Sequence, residues 1–382
     1  MTKGPKRLDL SRYFRREALN LVLLTGLAVV AFAAVEGVSR IYNGQQTSLA
    51  VRWSARGTAD LKAQNYRAAV TDFRTSLLYS RDNYDYQLDL AEALLGMKRT
   101  DEAYSYLISL WDREPENGFV NLELARISAQ RKDMTQALRF YHDAIYAAWP
   151  GDQEAETQRC RLELIHYLLR SHAQPQAQGE LMALEANVPD DSPEQVQLGQ
   201  LFLQTQGYQH ALTAFRLGLR LNRHNEEAML GAGIAAFKMG LYPTAERYLR
   251  EAVITSPHDA QSAAWLKTAE SVLEMDPYLP EMSEAQRRQI AVNAFTTAGN
   301  RLKACPAQGS PAVPAAALQG LEQQWTKLKP HITQWWLWRD PDLVNTAMDL
   351  AFQIERRTAD QCGAPTAADQ ALLLIANLHE ED

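Results

Sequence analysis

The sequence predicts an all-α protein: a solenoid of helix–turn–helix units between an N-terminal transmembrane helix and a small C-terminal helical domain. Three observations carry that prediction. Alanines recur at a 34-residue step through the middle of the chain. A stretch near the N-terminus is long, apolar and uncharged. Over 50–275 apolar residues return every three or four positions, with no alternating β-branched runs. The 382 residues are 46% hydrophobic and 22% charged, which is enough apolar material for packed cores.

The first element is a basic segment, 1–17, with Lys3, Lys6, Arg7, Arg12, Arg15 and Arg16 against Asp9 and Glu17. The whole chain has a formal charge of −7, so everything after this segment is acidic. An acidic body repels phosphate backbones, which argues against a nucleic-acid partner. Ala18–Val35 carries no charge; as a helix it spans about 27 Å, close to a hydrocarbon core. The second element is therefore a transmembrane helix, 18–38. Glu36, Arg40, Arg52 and Arg56 behind it are sparser than the basic cluster ahead. That asymmetry predicts a cytoplasmic N-terminus and an exported body, periplasmic or extracellular. The alternatives are a signal sequence cleaved near Ala33, where Ala31-Phe32-Ala33 forms an A-x-A pattern and the body is secreted, and a buried core helix.

The third element is the repeat region, 50–275. Ala69, Ala103 and Ala137 are one period apart, as are Ala177, Ala211 and Ala245; six extra residues lie between the two sets. Four residues after each alanine stands a large side chain: Phe73, Leu107, Tyr141, Leu181, Phe215, Leu249. The alanine lets an antiparallel helix approach. A small residue twelve places earlier (Gly57, Ala91, Ala125, Gly199, Gly233) is expected to face it, with the large residue filling the space beside it. Pro115, Pro189 and Pro257 stop the second helices. Six units begin near 50, 84, 118, 158, 192 and 226, and a helix over 260–275 caps them.

This spelling resembles the tetratricopeptide repeat, over roughly three fifths of the chain. Ile165 where a small residue is expected, the Pro175 turn, and Arg81, Trp149 and Arg223 in place of prolines depart from the pattern. The resemblance implies a right-handed superhelix whose concave groove is lined by the first helix of each unit and takes a protein or peptide partner. Mapped onto this chain, the groove candidates are Leu88, Asp89, Glu92, Leu122, Arg126, Leu162, His166, Val196, Gln200, Leu230, Ile234 and Phe237, with interhelical packing as the competing role for each. The Lys/Asn clamp with which some family members hold a C-terminal carboxylate is missing: Ser54, Thr58, Gln87 and Leu88 stand in the first two units.

The last element, 276–382, matches no family pattern. Ser283 with Gln286 reads as a capping box opening a helix toward Cys305, 306–314 as a linker, and Ala315–Lys329 as a helix ended by Pro330. Asp340-Pro341 opens a helix to about Arg357, and Thr366 with Asp369 starts a last one. Cys305 and Cys362, at helix ends, are a candidate disulfide in an exported protein, against two buried thiols; Cys160 reads as a core residue. Trp325, Trp335, Trp336 and Trp338 cluster; Trp335 and Trp338 share a face and Trp336 points elsewhere, and the expectation is that one face packs in the domain core, with an exposed tryptophan as an anchor for a partner or the membrane headgroup zone as the alternative.

No nucleophile elbow, P-loop, dinucleotide fingerprint, metalloprotease motif or Cys-x-x-Cys occurs, and Asp190-Asp191 reads as a helix cap. The sequence thus predicts no enzyme, cofactor, metal or small-molecule substrate. It predicts a membrane-anchored, exported scaffold that binds protein partners through its groove in assembly of a cell-envelope complex. The alternatives are a structural subunit using its outer faces and Trp-rich C-terminal domain, and an enzyme with a C-terminal site.

Overall fold

In the computed structural model, the described residues are 10–189, 191–280, 282–305, 315–359, 362 and 364–379, with side chains from 21 onward except 315–317. The expected 306–314 linker, Asp190 and most of the basic N-terminus fall outside them. The described residues are helical throughout, with one isolated bridge between Asn117 and Ala148 and no strand.

The chain forms two compact units, Met1–Leu164 and Ile165–Asp382. The first opens with α1 (Leu10–Lys62), a single 53-residue helix. It is about 80 Å long. Its apolar span stands in solvent, with Leu21, Val30, Phe32 and Val38 each more than 60% exposed, and packing begins only at the fully buried Ala50. Apolar span, stalk and first repeat helix are therefore one rod. After it come α2 (Tyr66–Tyr79), α3 (Tyr84–Gly96), α4 (Thr100–Arg113), α5 (Gly118–Gln130) and α6 (Met134–Ile145), each packed on the one before.

α7 (Gln153–Arg170) runs across the boundary between the units. The second unit continues with α8 (Gln174–Glu185), α9 (Ser192–Gln204), α10 (Tyr208–Leu221), α11 (Glu226–Lys238), α12 (Tyr242–Thr255) and α13 (Ala260–Met275). α7 is 18 residues long where α3, α5, α9 and α11 have 13. The six-residue insertion thus mostly lengthens this helix, which starts at Gln153 rather than near 158.

All six period alanines are fully buried, and the large residues four positions on are at most 1% exposed. The expected facing of small residue and alanine needs correction. A methyl added to Gly57 would lie 2.8 Å from the Phe73 ring, one on Gly199 would lie 2.8 Å from Phe215, and one on Gly233 would lie 2.6 Å from Leu249. The small residue thus accommodates the large side chain. Long helical side chains lean back toward their own N-terminus, over the turn that the alanine occupies.

Two further features recur with the repeat. Asn83, Asn117, Asp152, Asp191, Asn225 and Asp259 cap α3, α5, α7, α9, α11 and α13, their side chains accepting from backbone N–H groups of the first turn. The turns between paired helices each contain one residue in the left-handed region: Gln64, Lys98, Lys132, His172, Gln206 and Gly240.

The C-terminal helices belong to the second unit. α14 (Glu284–Ala304) packs on α15 (Ala315–Leu328), α16 (Gln334–Arg339) and α17 (Asp342–Ala359), while α18 (Ala367–Leu378) packs on α13, α14 and α17. Both expected capping boxes, Ser283/Gln286 and Thr366/Asp369, are present. Trp325 is buried, stacked on Phe295 at 5.6 Å, with its indole N–H donating to the Phe295 carbonyl at 3.0 Å. Cys305 and Cys362 are bonded, with Cα atoms 4.8 Å apart. Arg301 lies beside them, buried, donating to Thr358 Oγ1 (2.8 Å), Thr358 O (3.1 Å) and Asp369 Oδ2 (3.0 Å), with Glu355 at 3.4 Å.

Candidate partner-binding surfaces

The first helices of successive repeats, α3, α5 and α7, place the first-unit candidates. Leu88 and Asp89 are half-buried on α3 and Glu92 is exposed. Arg126 on α5 and Leu162 on α7 are half-buried. Leu122 is a correction: it is 1% exposed, packed within the helix layer and closed to a partner. In the second unit, His166 is exposed and Gln200, Leu230 and Ile234 are half-buried. Val196 and Phe237 are corrections of the same kind. Val196 lies under Gly218, and Phe237 is covered edge-on by Tyr242 and Trp265, each at 5.1 Å. A 3.6-residue period turns these positions slightly further into the partner helix than the family mapping places them.

The structure adds what the sequence mapping missed, an electrostatic pattern on α3, α5 and α7. Arg126 donates to Glu163 through two nitrogens at 2.8 and 2.7 Å and to Glu123 at 2.5 Å, and Tyr141 Oη donates to Glu163 at 3.1 Å. Burial would raise the Glu163 carboxyl, but the Arg126 and Tyr141 hydrogen bonds outweigh it and hold the group below its usual range. The other carboxyls move the opposite way. Burial, then Asp85, raises Asp89. Crowding by protein atoms, then Asp89 and Glu123, raises Glu92, although the residue as a whole is exposed. Burial raises Glu123 against the pull of Arg126. Arg126 thus pairs with two of the four carboxylates, Glu123 and Glu163, and Asp89, Glu92 and Glu123 hold their protons more tightly than in water. Such a face stabilises an incoming cation and repels an anion. The signal in the sequence was the i, i+3/i+4 carboxylate spacing Asp85-Asp89-Glu92 on α3, with Glu123 one period beyond Asp89.

The tryptophans depart from expectation. Trp335, Trp336 and Trp338 are 54%, 37% and 67% exposed, while Leu337 is 1% exposed. The inward-facing position of α16 is the leucine.

Residues 60–117 and 196–260 each match a family profile described as tetratricopeptide repeat. No curated protein matches the chain. Among solved structures, the chain is similar to YrrB, a TPR protein with an unusual peptide-binding site, at 12% identity over 50% of this chain and 96% of that one, with a TM-score of 0.39. It is similar to the C-terminal part of a TPR repeat-containing protein from Cytophaga hutchinsonii at 14% identity, covering 63% and 94%, with a TM-score of 0.44. PilW, a type IV pilus biogenesis factor, matches at 15% identity, covering 57% and 98%, with a TM-score of 0.36. Both profile matches fall on helices of the observed period, so the chain carries tetratricopeptide repeats over these stretches.

Proposed function

We propose that this protein is a single-pass, membrane-anchored scaffold whose exported repeats bind a basic segment of a protein partner during assembly of a cell-envelope complex. Tetratricopeptide repeat proteins mediate protein–protein interaction and scaffolding in general. The observation that carries the specific reading is the carboxylate band of Asp89, Glu92 and Glu123 on the first helices, in which Arg126 and Arg159 act on Glu123 while Asp89 and Glu92 feel neighbouring carboxylates. Lysine or arginine side chains of a partner would relieve that repulsion, and Leu88 and Leu162 offer apolar contact beside it. The anchored part of the reading is supported by the exposed apolar span of α1, and the outward topology by the basic residues ahead of it. The anchor raises the effective concentration of the repeats at the membrane.

The test is crosslinking and capture from membranes, comparing wild type with Asp89→Lys/Glu92→Lys. Both positions are at least partly solvent-accessible, so the variant keeps the fold. Loss of the captured partner supports the reading; an unchanged set of partners refutes it. Intact mass of the membrane-extracted chain separates anchorage from cleavage near Ala33. Protease protection of residues beyond 38 in sealed vesicles reads the topology.

A further inference from the structure

α16 is a six-residue helix with an unusual division of labour. Leu337 is buried, as is Ile332 just ahead of it, so the helix is fixed to the body by aliphatic side chains. Thr333 caps its N-terminus, and Gln334 donates to Gln289 of α14 at 2.8 Å, which adds a polar tie. The three indoles point away from this attachment. Trp335 and Trp336 meet edge to face at 4.8 Å, and His331 lies edge-on to Trp336 at 5.3 Å, so the rings support one another outside the core. Folding removes none of the three from water completely, which leaves exposed aromatic surface of the kind that marks a contact site.

Charge selects the occupant. Residues 323–339 contain Lys327, Lys329 and Arg339 and no Asp or Glu, in a chain that is otherwise acidic. All three cations are exposed, and none forms an ion pair among the described residues. Arg339 instead lies over the Trp335 ring at 5.5 Å. Lys329 lies over the Trp325 ring at 4.9 Å. Exposed indoles with Lys and Arg close by in the chain have the composition of a membrane-interface belt: the rings sit at headgroup depth, and the cations meet anionic phosphates. The chain's net negative charge disfavours an anionic bilayer, and the segment 323–339, between exposed Glu322 and Asp340, is locally positive.

We infer that α16, with Lys327 and Lys329, is a second membrane contact that seats the C-terminal helices on anionic phospholipid headgroups. The inference rests on the membrane-anchored reading. The experiment uses the full chain in nanodiscs of phosphatidylcholine with or without phosphatidylglycerol, the acyl chains brominated to quench nearby tryptophan. Retention in the discs reports the α1 anchor; a chain that does not stay with them refutes the anchored reading and this one together. With the chain retained, quenching is expected of up to three of the eight tryptophans, only where phosphatidylglycerol is present. Trp335→Ser/Trp336→Ser/Trp338→Ser should abolish that quenching. Lys327→Glu/Lys329→Glu/Arg339→Glu, which keeps every tryptophan, should reduce it at least twofold. Equal quenching in wild type and both variants overturns the inference while leaving the anchor standing. So does an unquenched wild type whose α16 crosslinks to a protein.

Discussion

Phe215 offers the sharpest test of how the repeats pack. Its ring is fully buried between two glycines: a methyl on Gly199 would lie 2.8 Å from it, and one on Gly231 would lie 2.3 Å from it. Both glycines are inside helices, where alanine is favoured by about 1 kcal/mol. At Gly231 that gain is opposed by overpacking of about 1–3 kcal/mol, and the ring cannot retreat because Gly199 already lies against its other side. Gly231→Ala should therefore be neutral to destabilising by about 2 kcal/mol. Gly179, inside α8, meets nothing within 4 Å, so Gly179→Ala should gain about 1 kcal/mol. The two substitutions are chemically identical, and the predicted gap of about 1–3 kcal/mol comes from the Phe215 wedge alone. Circular dichroism of the detergent-solubilised chain reads it as a difference of roughly 2–4 °C in Tm per kcal/mol. Adding Phe215→Leu should make Gly231→Ala better tolerated than it is alone. If Gly231→Ala raises Tm as much as Gly179→Ala, the wedge does not exist.

Other consequences can be measured on the same material. Glu355 is fully buried beside Asp369 and Arg301, and desolvation, then Asp369, pushes its pKa up to about 8. The folded state therefore holds a proton that the unfolded chain releases above about 4.5. Its contribution to stability is complete below that pH and is lost as pH rises to about 8; Glu355→Gln should flatten the profile of Tm against pH over this window. Reducing the Cys305–Cys362 bond, which closes a loop with a sequence separation of 57, should lower unit stability by about 4 kcal/mol, and Cys362→Ser should lose its response to reductant. Gln206→Gly, at φ 62°, should stabilise by about 1 kcal/mol in urea unfolding, because a β-carbon is strained there. Gly240→Ala, at φ 73°, should destabilise, because the added methyl would lie 2.3 Å from Leu378.

The solenoid was legible because its packing constraint is local and repeated. Each unit needs one methyl-sized site for its partner helix, and six alanines in phase expose that need without any long-range information. Asp191 reads as a cap from the sequence; the other Asn and Asp caps stand just as plainly ahead of their first helices and are masked by the stronger alanine signal. The left-handed turns could not be read: Gln64, Lys98, Lys132, His172 and Gln206 carry no glycine or asparagine to betray them, since helix pairing on both sides imposes the conformation. The burial of Leu122, Val196 and Phe237 depends on which side of each helix meets its neighbour, a detail finer than a family mapping resolves. The outward tryptophans of α16 reversed the expectation because hydrophobicity ranks Trp for the core, whereas Leu337 holds the buried position of that helix.

Gly240 shows how the repeat region is joined to the C-terminal helices. It occupies the turn position that Gln206 holds one period earlier, and the earlier turns tolerate a side chain there. At the sixth turn the β-carbon space is taken by Leu378 at the end of α18, which packs along α13. Tyr278 and His379 meet nearby at 4.3 Å, and Asp276, buried at the end of α13, accepts from the Tyr278 backbone N–H at 2.9 Å. The glycine therefore answers a docking demand, since φ alone was met elsewhere by glutamine, lysine and histidine. A terminal repeat leaves its last apolar face without a neighbour, and solenoids need something to cover it. Here α13 covers α12, and α18 returns from the far end of the chain to cover α13. The C-terminal helices thus serve as the cap of this stack, and the disulfide and the Arg301 cluster hold together the element that closes it.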